Sequence, residues 1–302
     1  MQTTGPIVER LDKSKIKHIT VDGIRTRYYE DGSGEPLVLF PGGNYASLYS
    51  LDAFTLNFGG LAKHFHVFAI DKVGQGHSDN PLADGDWTFE ALLEYTHKLL
   101  AALGISNAHL LGHSRGGLLI ARLAMDYPGT AKSLICVDTN TLAREDPQFP
   151  SLAFYTELHR RRPPGGPTRE GVRLEPDAST FHGDHVTEDF VDRMLEIALL
   201  PKSLEAARKF RELDGSVWLP SLNAARERIF RDIETHGLPV PTLVIWGNDD
   251  VAAPVGQGLA FWRSLSSHTP NAEFHLFNHA RHYVFRDHPE KFNRLLRAFC
   301  LA

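Results

Sequence analysis

Leu110-Leu111-Gly112-His113-Ser114-Arg115-Gly116-Gly117 reads G-x-S-x-G with a further glycine behind it. An apolar run, Ala108 to Leu111, leads in. Leu118 to Met125 follows, apolar and rich in helix formers. Strand, tight turn and helix in that order form an elbow that carries an exposed serine nucleophile. The turn holds Ser114 in a strained backbone conformation, so that its hydroxyl projects from the strand end. Gly112 and Gly116 lack the Cβ atoms that would collide there. The helix N-terminus brings the positive end of its dipole close to any developing negative charge. The bland alternative is a serine in an ordinary glycine-rich turn, and the flanking strand and helix argue against it.

Working outward, Ile16 to Val21 and Ile24 to Tyr29 flank Asp22-Gly23, a hairpin signal. Leu37 to Phe40, His66 to Ile70 and Ser133 to Val137 are short continuous apolar runs, as expected of strands buried on both faces. Phe89 to Leu103 has helical spacing and stops at Gly104. Strands alternating with helices predict a mostly parallel sheet covered on both sides. The pattern changes after Asp138. Arg160 to Pro167 reads as a break, while Glu188 to Leu200, Leu204 to Leu213 and Leu222 to Ile233 read as amphipathic helices. A buried strand returns at Pro241 to Trp246. Val255 to Leu265 reads as a helix, Ala272 to Phe277 as a strand and Pro289 to Leu301 as a closing helix. The expected division is an α/β core, residues 1–143 and 237–302, with a helical cap, residues 144–236, inserted after the strand that follows the elbow helix.

The chain has 302 residues and a formal charge of −5, enough for a sizeable core and without a basic stripe for nucleic acid. No apolar run is long enough to span a bilayer. Met1 to Lys17 is polar and lacks the apolar segment of a signal peptide. Cys136 and Cys300 cannot make a disulfide framework, and Cys136 lies in an apolar run that suits a buried thiol. A cytoplasmic protein is the expectation. No metal is expected, since the histidines lack H-E-x-x-H or similar spacing. No cofactor is expected either, because Gly74-Gln75-Gly76 is too short for a dinucleotide loop. The expected partner is a small-molecule substrate, and a homo-oligomer stays open.

A serine hydroxyl needs a base to take its proton, and the base needs an acid to orient it. For this elbow the chain order is serine, acid, histidine. The acid belongs just beyond a late strand, where Gly247-Asn248-Asp249-Asp250 stands. The histidine belongs beyond the next strand, where Asn278-His279-Ala280-Arg281-His282 stands. Asp249, and Asp138 at the end of the strand after the elbow helix, are rival acids. His279 is the rival base.

These residues resemble the α/β-hydrolases over nearly the whole core. Trp246-Gly247-Asn248-Asp249-Asp250 matches the family's W-G-x-x-D. His282, Asp287 and Pro289 match its histidine followed five residues later by an acid and seven later by proline. The resemblance implies Ser114 as nucleophile, Asp250 as acid and His282 as base. It also implies an oxyanion hole from the backbone amides of Arg115 and Gly43, with the Asn44 amide as the alternative to Gly43; Pro41-Gly42 stands where His-Gly is usual.

Within the fold, Pro41 to Asn44, Asp71 to Pro81, Val137 to Leu142 and a four-helix-sized insertion are similar to the meta-cleavage-product hydrolases. Those enzymes cut a carbon–carbon bond in 2-hydroxy-6-oxo-hexa-2,4-dienoates. This chain departs from them in His113, where asparagine is typical, and in Arg281, where glycine is usual. The resemblance implies a substrate arginine near Arg193, with Asn44, His113 and Tyr283 at the substrate. Arg193 pairing with Asp189 or Glu196 along a wet helix face is the alternative. A carboxylesterase or lactonase would use the same triad, and a non-catalytic ligand receptor on this scaffold is the third class.

Overall fold

The computed structural model describes residues 11–144, 152–269 and 271–302. The first ten residues of the polar N-terminal segment, and residues 145–151 of the expected cap, lie outside the described residues.

Eight strands form one sheet: β1 (Ile16–Val21), β2 (Ile24–Gly32), β3 (Pro36–Phe40), β4 (His66–Ile70), β5 (Ala108–His113), β6 (Ala131–Val137), β7 (Thr242–Gly247) and β8 (Ala272–Phe277). Their spatial order is β1-β2-β4-β3-β5-β6-β7-β8. The β1–β2 and β2–β4 pairings are antiparallel and the rest parallel. The apolar runs become the central strands because both faces are covered. Leu37, Val38, Leu39, Leu110, Leu111, Ile135 and Val244 are all fully buried. Ends that the sequence places at Tyr29 and Leu111 extend to Gly32 and His113, since pairing with β4 and β6 continues past the apolar run.

Around the sheet stand α1 (Thr55–Leu61), α2 (Phe89–Ala102), α3 (Arg115–Asp126), α9 (Val255–Ser266), α10 (Val284–Asp287) and α11 (Pro289–Cys300). Between β6 and β7 the described residues form helices and no strand: α4 (Leu152–Arg161), α5 (Arg169–Ser179), α6 (Glu188–Leu199), α7 (Pro201–Leu213) and α8 (Leu219–His236). A π-helical turn, Asp214–Trp218, joins α7 to α8.

Among the described residues the insertion thus holds five helices, where the sequence patterns give three, α6, α7 and α8. The two not read are α4, which runs into the Arg160 to Pro167 break, and α5, whose pattern is obscured by an internal Pro176 and a largely polar sequence. The last of the five, α8, is seated on the core. Leu222, Ile229 and Phe230 bury into the same apolar cluster as α2 and α3. Arg122 of α3 donates to Asp232 of α8 (2.6 Å), and Arg228 of α8 to Asp126 of α3 (2.7 Å).

The parallel strands β3, β5, β6, β7 and β8 all point their C-terminal ends to one edge. In open α/β sheets that edge is where ligands bind.

Candidate active site

At that edge β5 ends and Ser114 begins the turn into α3. Its φ of 51° and ψ of −124° lie outside the regions open to most side chains. The conformation is stored strain of the kind kept at functional sites. The surroundings impose it. A Cβ on Gly112 would lie 2.3 Å from the Gly116 carbonyl oxygen, so only glycine lets the helix turn back this closely. The loop after β3 runs alongside: a Cβ on Gly42 would stand 2.8 Å from the Ser114 Cβ. The Ser114 N–H is held by the Val137 carbonyl at 2.8 Å.

His282 arrives from the loop after β8 and Asp250 from the loop after β7. The His282 Nδ1 and Asp250 Oδ2 are 2.7 Å apart, and both side chains are buried. That spacing is a charge-assisted hydrogen bond, with Nδ1–H donating. The second Asp250 oxygen accepts the N–H groups of Ala252 (2.8 Å) and Ala253 (2.9 Å). The His282 Nε2 has no hydrogen-bond partner among the described residues. Asp250 rather than Asp249 therefore faces the imidazole. His279 stacks on Phe181, 5.0 Å between ring centroids.

His113 sits beneath this pair. Its Nε2 donates to the His282 carbonyl at 2.9 Å, and the two rings are 4.6 Å apart. Complete burial, reinforced by His282, holds His113 well below the usual histidine range, so it is a neutral strut. Tyr283 is also buried, edge-on to Tyr49 at 5.8 Å. Asp287, which the sequence motif singles out, does not approach the imidazole through a hydrogen bond. It accepts the N–H groups of Arg281 (2.9 Å), Phe181 (2.8 Å) and His182 (3.0 Å). It thus pins the histidine loop to the inserted segment.

The loop after β3 carries Gly43 with φ +73°. Gln75 Nε2 donates to the Gly42 carbonyl (3.0 Å), and Lys72 Nζ to the Gly43 carbonyl (3.0 Å). In a trans peptide the N–H points opposite to the preceding carbonyl. The Gly43 N–H is therefore directed away from Gln75. Burial, followed by the neighbouring Arg115, pushes the Lys72 ammonium down to about 7.

A cavity of about 350 Å³ lies between this loop and the inserted helices. Gly43, Asn44, Tyr49 and Arg115 line it from the core; Tyr155, Glu175 and Arg211 line it from α4, α5 and α7. Asn44 Oδ1 and Arg115 Nε are buried there without a partner among the described residues. Arg193 is not part of that lining. Its Nε lies 3.1 Å from Asp52 Oδ1 and its Nη1 3.2 Å from Asp189 Oδ2. The expected pairing with Asp189 is thus present, and Asp52, on the turn Leu51–Phe54, adds a buried partner.

Tyr49, Glu175 and Arg211 carry no motif in the sequence; Lys72 lies in the Asp71 to Pro81 segment that carries the resemblance, but nothing there assigns it a role. Asp138, Asp250 and His282 offer ligand atoms within 4.8 Å of one another, the one grouping among the described residues with spacing for a metal ion. Two of the three are already joined by the 2.7 Å hydrogen bond.

Residues 35–289 match the family model described as alpha/beta hydrolase fold. The chain is 29% identical over 290 residues to a 2-hydroxy-6-oxononadienedioate/2-hydroxy-6-oxononatrienedioate hydrolase of Paraburkholderia phymatum, covering 91% of each chain. It is 26% identical over 287 residues to a 2-hydroxymuconate semialdehyde hydrolase of Pseudomonas putida, covering 94% of this chain and 93% of that one. Among solved structures it is similar to a 2-hydroxy-6-oxo-6-phenylhexa-2,4-dienoate hydrolase of Rhodococcus, with TM-score 0.76, 19% identity, and coverage of 95% and 98%. The strand order, the elbow and the family match agree: the chain belongs to the α/β-hydrolase family and is a hydrolase.

Proposed function

We propose that this hydrolase cleaves the carbon–carbon bond of a 2-hydroxy-6-oxo-hexa-2,4-dienoate, a ring-opened product of aromatic degradation, under a cap made by residues 144–236. Ser114 is the nucleophile, His282 the base and Asp250 the acid. The observation that carries the reading is the 2.7 Å bond from His282 to Asp250, beside a strained Ser114. It leaves Nε2 as the ring nitrogen able to take a proton. The named substrates of the relatives support the substrate class.

His282 first helps move the proton of the 2-hydroxyl to carbon, turning the dienol into its keto form. The 2-keto group is then an electron sink for the carbanion that leaves. Ser114, or water activated by His282, attacks the 6-keto carbon. The amides of Arg115 and Gly43 receive the oxyanion; removing one such donor from a hydrolase costs about 3–4 kcal/mol. The C5–C6 bond breaks, its electron pair passing to the dienolate, which takes a proton from His282 to give a 2-hydroxypentadienoate; where Ser114 was the attacker, a water activated by His282 then releases the acyl group as the carboxylic acid. Of the three arginines in the cavity wall, Arg162 faces Glu175, and Arg115 and Arg211 hold the substrate carboxylate, an ion pair suited to a guanidinium fork.

The dienols are yellow, so loss of visible absorbance follows the reaction directly. Bleaching that needs both Ser114 and His282, with both acids recovered, is the expected result. One observation favours a carboxylesterase instead: Arg193, the arginine the resemblance assigns to the substrate, is held on Asp52. Fast turnover of aryl esters with no bleaching of any dienoate would establish that reading and end the first.

A further inference from the structure

Asp138 closes β6 directly beside β7. Its backbone is left-handed, φ +46°, and its side chain is fully buried. Its N–H donates to the Ile245 carbonyl (3.0 Å), and its Oδ1 accepts the Gly247 N–H (2.8 Å). Those two bonds fix the carboxyl against the end of β7, just ahead of the loop that carries Asp250. A carboxyl oxygen of Asp138, one of Asp250 and a ring nitrogen of His282 lie within 4.8 Å of one another. Asp138 Oδ2 receives no hydrogen bond from any N–H or hydroxyl of the described residues.

Two buried carboxyls within 4.8 Å of each other each disfavour the other's charge. Asp250 already has three donors, from His282, Ala252 and Ala253. Asp138 has one, from Gly247. The shared proton therefore resides on Asp138. Burial, then the charges of Asp250 and Asp287, act in the same direction and raise its carboxyl well above the usual range.

We propose that Asp138 is a positioning residue: a neutral carboxylic acid whose Oδ2–H is donated to Asp250, holding that carboxylate on His282, and which supplies the negative charge itself when Asp250 is made neutral. The inference rests on the triad reading of Ser114, Asp250 and His282. In an Asp250→Asn protein the asparagine amide would donate to Asp138. Its carbonyl oxygen keeps the Ala252 and Ala253 N–H groups, and the ionised Asp138, whose carboxyl lies within 4.8 Å of a His282 ring nitrogen, takes the Nδ1–H, so the imidazole keeps the tautomer it needs. In the absence of such a neighbour, replacing the triad aspartate by asparagine leaves the wrong tautomer and costs about 10⁴ in kcat.

The test is a double-mutant cycle over Asp138→Asn and Asp250→Asn. It is read by the rate at which an aryl phosphonate labels Ser114 and by kcat/KM on an aryl ester. Asparagine suits the left-handed backbone at 138, keeps an acceptor for Gly247 and offers an N–H to Asp250. The expected loss from Asp250→Asn alone is about 100-fold, and from the double variant about 10⁴-fold, whereas Asp138→Asn alone costs severalfold. The residual activity of Asp250→Asn should also rise with pH as Asp138 ionises, a limb absent from the double variant. The groups facing Asp138 in that variant are the introduced side-chain amide, His282, Asp287 and the Gly247 N–H. Equal losses from Asp138→Asn in both backgrounds, or an Asp250→Asn protein as inactive as the double variant, would overturn the proposal. Asp250→Ser, with the same second change, serves as a replacement pair if Asp250→Asn fails to fold. Labelling that survives Ser114→Ala would instead overturn the triad reading.

Discussion

Lys72 shows how much a single side chain can impose on its surroundings. Its amine is buried behind the Gly43 carbonyl, and its ordinary value of 10.5 falls to about 7. Between those two values the unfolded chain binds a proton that the folded one refuses. Stability contributed by this position therefore rises with pH from about 7 to about 10.5 and is flat below that window. Replacing Lys72 by Met should raise the melting temperature, relative to the native chain, more at pH 6 than at pH 10. Parallel melting curves at the two pH values would show that the amine is not buried as described. The same substitution frees the Gly43 carbonyl, so kcat should fall and the pH dependence of turnover near 7 should flatten. At the same scale, Ser114→Ala and His282→Ala should each lower turnover by about 10⁴ or more. His279→Ala should not, and the reverse result would assign the base to the other histidine.

At the scale of elements, the inserted helices are tied to the core by charge as well as by apolar packing. Asp71, Arg27, Asp52 and Arg193, the first three buried and the last half-buried, form a chain of ion pairs from the end of β4 through β2 to α6. Arg27 Nε reaches Asp71, its Nη2 reaches Asp52, and Asp52 reaches Arg193. Arg27→Met removes the cation shared by two buried carboxylates, leaving Asp52 to Arg193 and Asp71 to backbone N–H groups, and should cost about 3–5 kcal/mol, read by chemical denaturation. Arg193→Met removes only the last link. It should cost about 1.5–3 kcal/mol, the range for a hydrogen bond to a charged group, and raise amide exchange in α6. If it instead raised KM for a dienoate tenfold with stability unchanged, Arg193 would be the substrate arginine after all. These ties explain what the sequence hid. The i,i+4 spacing of Asp189 and Arg193 is visible in one helix. Asp52 is a distant residue that the fold brings to α6, and no local pattern announces it. In the same way α1 escapes a periodicity reading, being seven residues long with Gly59 and Gly60 inside.

For the molecule as a whole, the sheet was legible because fully buried strands leave continuous apolar runs, and the elbow because its glycines are sterically required. His282 and Asp250 were legible through family spacing. Their relation to Asp138 was not, since it comes from the parallel pairing of β6 with β7, in which Val137 lies opposite Ile245. The cavity wall was the least legible part. Tyr155, Glu175 and Arg211 come from three different helices, and each is an ordinary polar or aromatic residue within its own helix.

The interruption of the sheet between β6 and β7 also orders events in time. His113 and His282 touch although 169 positions separate them in the chain. A growing polypeptide has Ser114 in its turn, and Leu134 to Val137 along β6, long before β7 exists to cover that edge. Until α4 to α8 have been made, a strand of fully buried residues waits as an open edge, the kind of surface that pairs with the wrong partner. Refolding from denaturant should therefore recover helical signal first and phosphonate labelling of Ser114 only in the last phase, when β7 and β8 dock. Simultaneous recovery of the two would mean that the late strands are recruited early, across the whole length of the insertion. On the expected order, the length of the inserted segment sets how long the nascent sheet stays vulnerable to aggregation.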